Sequence, residues 1–182
     1  MALKSTIFKA ELQVSDLDRG HFETHALTLA RHPSETDERM MVRLLAFALD
    51  ANERLEFGRG LSSEGEPDLV LTDLTGSIDL WIDVGLPDER EIRKAAGRAR
   101  AVKVYLYGGR SASMWWRQNE AALERLANVQ VLEVPEDVSR SLAGAAQRNM
   151  RVDCTVQDGE IWWSVPGADT LHFRPLVLKD AA

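Results

Sequence analysis

The sequence predicts an α/β fold in which parallel strands alternate with helices in mid-chain and further strands are added at both ends. Three observations carry this prediction. Residues 67 to 134 pass through strand, helix, strand, helix and strand patterns in turn, Lys9 to Val14 alternates polar with apolar residues, and Asp158-Gly159 lies between two alternating runs.

At the start, Ala10, Leu12 and Val14 alternate with Lys9, Glu11 and Gln13 as in a half-buried strand, and the polar SDLDRG leads into a second strand around HALTLA. After His32-Pro33, Ser34 is placed to cap a helix on which Met41, Leu44, Leu45 and Ala48 recur at helical spacing; DAN at 50–52 ends it. Residues 67–85 read as two strands joined by the DLTGS turn. Asp88, with Glu91 three residues on, is a capping-box-like start to a helix whose Ile92, Ala95, Ala96 and Ala99 form one stripe. AVKVYLYGG is the next strand, a helix from near Ser113 carries Trp115, Trp116, Ala122, Leu123 and Leu126, and VQVLEV is a strand again. Val152, Cys154 and Val156 then face Ile161, Trp163 and Val165 across Asp158-Gly159 in a hairpin, and LHFRPLVL adds a last strand.

A chain of 182 residues with ordinary apolar and charged fractions, no repeat and no linker fits one domain over residues 1–182. Its single cysteine, Cys154, excludes an internal disulfide and a cysteine zinc cluster, and points to a reducing compartment. The opening MALKSTIFKAELQ mixes charge into its sequence and holds no apolar run of signal-peptide or membrane-span length, so a cytoplasmic protein without a membrane partner is expected.

The net charge of −7 argues against indiscriminate binding to polyanions. Its distribution is uneven: residues 1–89 sum to −10, residues 118–182 to −4, and residues 90–117 to +7. The basic segment carries Arg90, Arg93, Lys94, Arg98, Arg100, Lys103, Arg110 and Arg117 against Glu91 alone. Such a run is most often a solvated helix face; directly after an acidic hairpin it also reads as a seat for phosphates beside a metal.

Asp79 and Asp83 are four apart in one strand and share a face, and Asp68 on the partner strand approaches from across the hairpin. Carboxylates gathered in this way suit a hard cation, although acids on a solvated strand edge would give the same spacing. Glu38 falls on the apolar face of its helix, where a carboxylate requires a metal or a buried arginine. Glu35, one turn earlier, is the weaker candidate because first-turn acids serve the helix dipole.

The stretches MALKSTIFKAELQVSDLDRGHF, LTLARHPSETDERMMVRLLAF, GSIDLWIDVGLPDER and QDGEIWWS closely resemble the YaeQ family of bacterial proteins along essentially the whole chain. That resemblance implies a variant of the PD-(D/E)XK nuclease-like fold, a restriction-endonuclease-like mixed central sheet flanked by helices. It further implies a divalent metal, Mg²⁺ or Mn²⁺, held by a helical Glu and two acids of the hairpin. Glu38 resembles the helical acid, Asp68 the acid of Pro67-Asp68, and Asp83 the acid of the (D/E)XK element. Gly85 stands where that element has its lysine.

The lysine of this superfamily can migrate, and two residues offer themselves. Lys94 follows closely on the Asp83 strand, although its place on the helix, roughly 200° from Ile92, turns it away from the apolar stripe. Lys103 opens the next strand, which parallel pairing puts at the far end of the sheet; Lys94 is preferred. Arg93 could supply charge but no neutral amine. Gln118 resembles a Gln that some nuclease relatives carry on the equivalent helix, with Ala122 in place of their aromatic. Trp115 and Trp116 have the spacing of core aromatics and the chemistry to stack on bases. His21 and His25 have ligand spacing on a helix, so beside a strand they read as ordinary polar residues, as do His32 and His172.

Two function classes follow. One is a phosphodiester hydrolase in which Glu38, Asp68 and Asp83 hold the metal and Lys94 and Gln118 assist at the substrate. The other is a non-catalytic protein of the same fold whose basic helix engages nucleic acid or a protein partner. Self-association through the terminal strands is a third, structural reading.

Overall fold

Strand pairing sorts the chain into two mixed sheets. In chain order the elements are β1 (Thr6–Asp16), β2 (His21–Arg31), α1 (Asp37–Leu49), β3 (Leu55–Phe57), β4 (Leu69–Thr72), β5 (Ile78–Val84), α2 (Glu89–Arg98), β6 (Ala99–Leu106), α3 (Arg110–Leu123), β7 (Val129–Glu133), α4 (Glu136–Gly144), β8 (Asn149–Gln157), β9 (Glu160–Ser164), β10 (Leu171–Phe173) and β11 (Leu176–Lys179). This computed structural model describes residues 3–59 and 65–182, which form two compact units. No helix among the described residues is long and apolar enough to cross a membrane.

The first unit comprises residues up to Glu53 together with Asp137–Pro175. Its sheet runs β10-β9-β8-β1-β2, with β1 and β8 parallel and its other pairs antiparallel. The predicted alternation is what buries it: Ala10, Leu12 and Val14 of β1 and Val152, Cys154 and Val156 of β8 are all core residues. Asp158 and Gly159, both at positive φ (53° and 74°), make the two-residue turn between β8 and β9. Strands β1 and β2 from one end of the chain and β8 to β10 from near the other thus build a sheet of their own, while β11 joins the second sheet.

Helix α1 is buried all round from Met40 to Ala48. That includes Arg43, whose guanidinium grips Glu35 through Nε (2.7 Å) and Nη2 (2.8 Å) while Arg39 reaches the same carboxylate at 2.9 Å. Thr36 caps the helix by accepting from Arg39 N at 3.1 Å. Ser34, expected in that role, is instead turned onto the His32 ring, 2.6 Å from Nδ1, two residues too early for the helix start.

The second unit comprises Arg54–Glu136 and Leu176–Ala182, with strand order β11-β7-β6-β5-β4-β3. Pairs β5/β6 and β6/β7 are parallel, as the strand-helix-strand order demands, and the remaining pairs are antiparallel. Asp88 caps α2 through Arg90 N (2.8 Å), and Ile92 and Ala95 enter a core with Trp81, Val102, Val104 and Leu123. Trp115 and Trp116 pack against this core, and Trp115 Nε1 donates to Pro87 O at 2.9 Å.

Three boundaries differ from expectation. Helix α3 starts at Arg110 rather than near Ser113, because Gly109, its N-cap at φ +58°, turns the chain into the helix three residues sooner. LHFRPLVL is two strands in different sheets, broken at Arg174-Pro175, where proline lacks the N–H a continuous ladder needs. Helix α4 and the three-residue strand β3 have too short a periodic pattern to be recognised in the sequence.

Candidate functional site

Antiparallel pairing sets Leu69 opposite Ile82, and Asp68 N extends the ladder by donating to Ile82 O at 2.9 Å. The Asp68 side chain then curls over the strand end: its Oδ2 accepts from Val84 N at 2.7 Å, doing the work of the next main-chain carbonyl. Since Val84 N is bonded directly to Asp83, this places one carboxylate against the backbone of the other acid. Asp83 itself is only 8% exposed, and its Oδ1 accepts from Trp81 Nε1 at 3.1 Å, two residues earlier on the same face.

Backbone packing holds Asp68 in place from the other side. Gly58 N donates to Asp68 O at 2.8 Å, and a Cβ on Gly58 would fall 1.9 Å from the Pro67 carbonyl oxygen. Only glycine therefore lets β3 approach Pro67-Asp68 this closely. The donor set of the two side chains is all oxygen. Asp68 and Asp83 accordingly fit a hard, oxygen-seeking cation such as Mg²⁺ or Mn²⁺.

Gly85 is explained by the backbone. Strand β5 ends at Val84, and Gly85 turns with φ +105° while its N–H donates to Tyr105 O at 2.9 Å. A lysine here would have to adopt a conformation that L-residues rarely take. The departure from the (D/E)XK pattern is thus a turn built into the chain.

The other sequence candidates are placed as follows. Glu38, in the first unit, is half-buried and its Oε1 accepts from Ser139 Oγ at 2.7 Å. The buried arginine expected to partner it belongs to Glu35, because Glu35 precedes the helix and can fold back along two turns to reach Arg43. Asp79 sits at a register shift, Leu71 pairing with Leu80 but Thr72 with Ile78, and lies 2.9 Å from Arg100 without hydrogen-bond alignment. Its charge is answered by that arginine, which also lies 3.5 Å from Asp73.

Lys94 is exposed on α2, with its ammonium 2.8 Å from Glu91, and Arg93 pairs with Glu89. Arg98 lies over the Trp81 ring, 5.2 Å from its centroid. Lys103 does not open its strand: α2 runs directly into β6 at Ala99, which brings Lys103 into register with Ile82, beside Asp83 but on the alternate face. Gln118 is exposed on α3.

Two titrations bear on chemistry elsewhere. Burial, reinforced by Asp16, pushes the Cys154 thiol up to about 12, so it is no nucleophile near neutrality. Burial also lowers His25 below the usual histidine range. His25 meets His21 and Glu23 in a cluster that sequence reasoning passed over, although the signal was present: on a strand, alternate residues of HFETH share one face.

Comparison with known proteins bears on the whole chain. The family described as "YaeQ protein" matches residues 1–172. The YaeQ protein of Salmonella typhi is 50% identical over 164 residues, covering 90% of this chain and 91% of that one, and its counterpart from Escherichia coli K12 is 48% identical over the same spans. The crystal structure of the YaeQ protein from Xanthomonas axonopodis pv. citri superposes with a TM-score of 0.93 at 49% identity, covering 98% and 99% of the two chains. That from Pseudomonas syringae gives 0.92 at 37% identity, with 97% of each chain covered.

Proposed function

The chain belongs to the YaeQ family, and on that premise we propose that its second unit binds Mg²⁺ or Mn²⁺ at Asp68 and Asp83 and hydrolyses phosphodiester bonds. The observation that carries this reading is the Asp68 carboxylate fixed on Val84 N, the amide that follows buried Asp83 in the chain. The carboxylates supply an all-oxygen donor set, which selects a hard cation. A bound divalent ion would supply an acidified water and neutralise charge on a phosphate oxygen.

The chain's own residues have separate tasks in this reading. The Trp81 N–H fixes the orientation of Asp83, and the Val84 N–H that of Asp68. Basic groups of the 90–117 segment, including Lys94, attract the phosphates of the substrate, and Gln118 offers an exposed amide from α3.

Calorimetric titration of metal-stripped protein with MnCl₂, followed by incubation with single- and double-stranded DNA and RNA, tests the reading. Manganese uptake and cleavage both lost in Asp83→Asn are expected; cleavage unchanged in that variant would overturn it. A second reading, a non-catalytic protein whose basic segment engages nucleic acid or a protein, is favoured by two facts: Gly85 leaves no motif lysine, and Lys94 is held by Glu91. Stoichiometric manganese binding with every nucleic acid left intact would select it.

A further inference from the structure

Strand β2 opens with His21-Phe22-Glu23-Thr24-His25, and its pleat sends residues 21, 23 and 25 to one face while Phe22 and Thr24 face the other way, exposed. On the shared face the two imidazoles meet end to end, Nε2 to Nε2 at 3.0 Å, with ring planes 15° apart. Glu23 Oε2 lies 3.7 Å from His21 Nε2 and 3.9 Å from His25 Nε2. We propose that these three side chains form a binding site for a borderline divalent transition ion, Zn²⁺ foremost, separate from the Asp68–Asp83 pair.

The donor chemistry and the spacing both support this. Zinc–ligand bonds of about 2.0–2.1 Å to imidazole nitrogen and carboxylate oxygen put neighbouring donors of a tetrahedral site roughly 3.3 Å apart. Each of the three observed separations lies within roughly 0.6 Å of that spacing, a shift that small rotations about the histidine and glutamate side-chain torsions can supply. Two nitrogens and one oxygen disfavour Mg²⁺, which takes oxygen, and favour zinc or its neighbours in the first transition row.

The surroundings fix one ligand and leave the others open. His25 is 8% exposed and stands edge-on to Phe47 of α1, ring centroids 5.1 Å apart, so its ring is held by packing. The His21 side chain is 20% exposed and that of Glu23 49%, which gives an ion access from solvent. Three protein ligands leave a fourth position for water or an external group, the arrangement of open rather than closed zinc sites. Were the histidines no more than a hydrogen-bonded pair, one nitrogen donating to the other, Glu23 would contribute nothing to metal affinity.

The test is calorimetric titration of the metal-stripped full-length chain with ZnCl₂, repeated on His21→Ala, Glu23→Gln and Asp83→Asn, with Co²⁺ absorption as a second readout of coordination. A zinc site is expected that is weakened tenfold or more in His21→Ala and in Glu23→Gln and unchanged in Asp83→Asn, whereas any zinc taken up at the Asp68–Asp83 pair is lost only in Asp83→Asn; bound Co²⁺ should give the visible bands of a low-coordinate N/O site. Glu23 is half-exposed and its change to Gln nearly isosteric, so that variant keeps the packing of the fold, and circular dichroism checks that both variants are folded. Failure to bind zinc, or binding that neither substitution weakens, would overturn the proposal and leave the manganese reading untouched.

Discussion

Placing a lysine where the (D/E)XK pattern would have one, by Gly85→Lys, should destabilise the protein and confer no cleavage. At φ +105° this residue lies in the left-handed half of backbone space, where a Cβ meets the neighbouring carbonyl. Holding a side chain there costs of the order of 1–3 kcal/mol. In a chain of this size each kcal/mol moves the unfolding midpoint by about 2–4 °C, so a fall of roughly 2–12 °C is expected. Gly85→Ala should fall by a similar amount, because the penalty arises at Cβ and not from the ammonium. Scanning calorimetry on both variants, paired with a manganese-dependent cleavage assay, measures the two effects separately. The reasoning requires the strand to end at Val84 and Gly85 N to keep its bond to Tyr105 O. If Gly85→Lys were as stable as the parent, or cut a substrate that Gly85→Ala left intact, the turn would not be the reason that a lysine is absent.

Other perturbations test neighbouring parts of the structure. Arg43→Met should cost about 3–5 kcal/mol by stripping Glu35 of its buried partner, and adding Glu35→Met should recover most of that loss in urea unfolding; equal instability of single and double variants would refute the pairing argument. Gly58→Ala should weaken manganese binding several-fold in folded protein, since its Cβ pushes on the carbonyl of Pro67 next to Asp68, and unchanged affinity would detach Asp68 from the site. Glu133→Gln should raise the unfolding midpoint at pH 7. Burial raises the Glu133 carboxyl in the fold above its unfolded value near 4.5, so the folded state favours the proton; the charged form destabilises above that range, and the gain should vanish as pH falls below about 4.5. A gain that persisted at pH 3 would point to something other than charge.

What could be read in the sequence was whatever repeats over a few residues. Ala10, Leu12 and Val14, Ile92 with Ala95, and the Asp158-Gly159 turn each announce an element through a local period or a backbone requirement, and each is found there. The destination of a strand is not local. The parallel pairing of β1 with β8 joins Lys9 to Asn149, and nothing in either run states that β1, β2 and β8 to β10 make a sheet of their own while β11 joins the other. The Arg43 partner was missed for a related reason: helical-wheel geometry applies from Asp37 onward, whereas Glu35 lies before the cap and is free of it.

The candidate sites divide along the same line. Asp68 and Asp83 could be paired in advance because a short hairpin fixes its own register within one turn. Lys103 could not, since its position depends on where α2 gives way to β6, and a two-residue error in that boundary moved it from mid-strand toward the strand's opening. For His21, Glu23 and His25 the sequence shows the element but suggests the wrong period: a spacing of four joins residues across one turn of a helix, and here the element is a strand. A strand also returns to the same face at every second residue, and long side chains leaning along it close the remaining gap. Metal-ligand spacing therefore has to be judged on the period of the element that carries it, and on β2 that period brings two imidazoles and a carboxylate together.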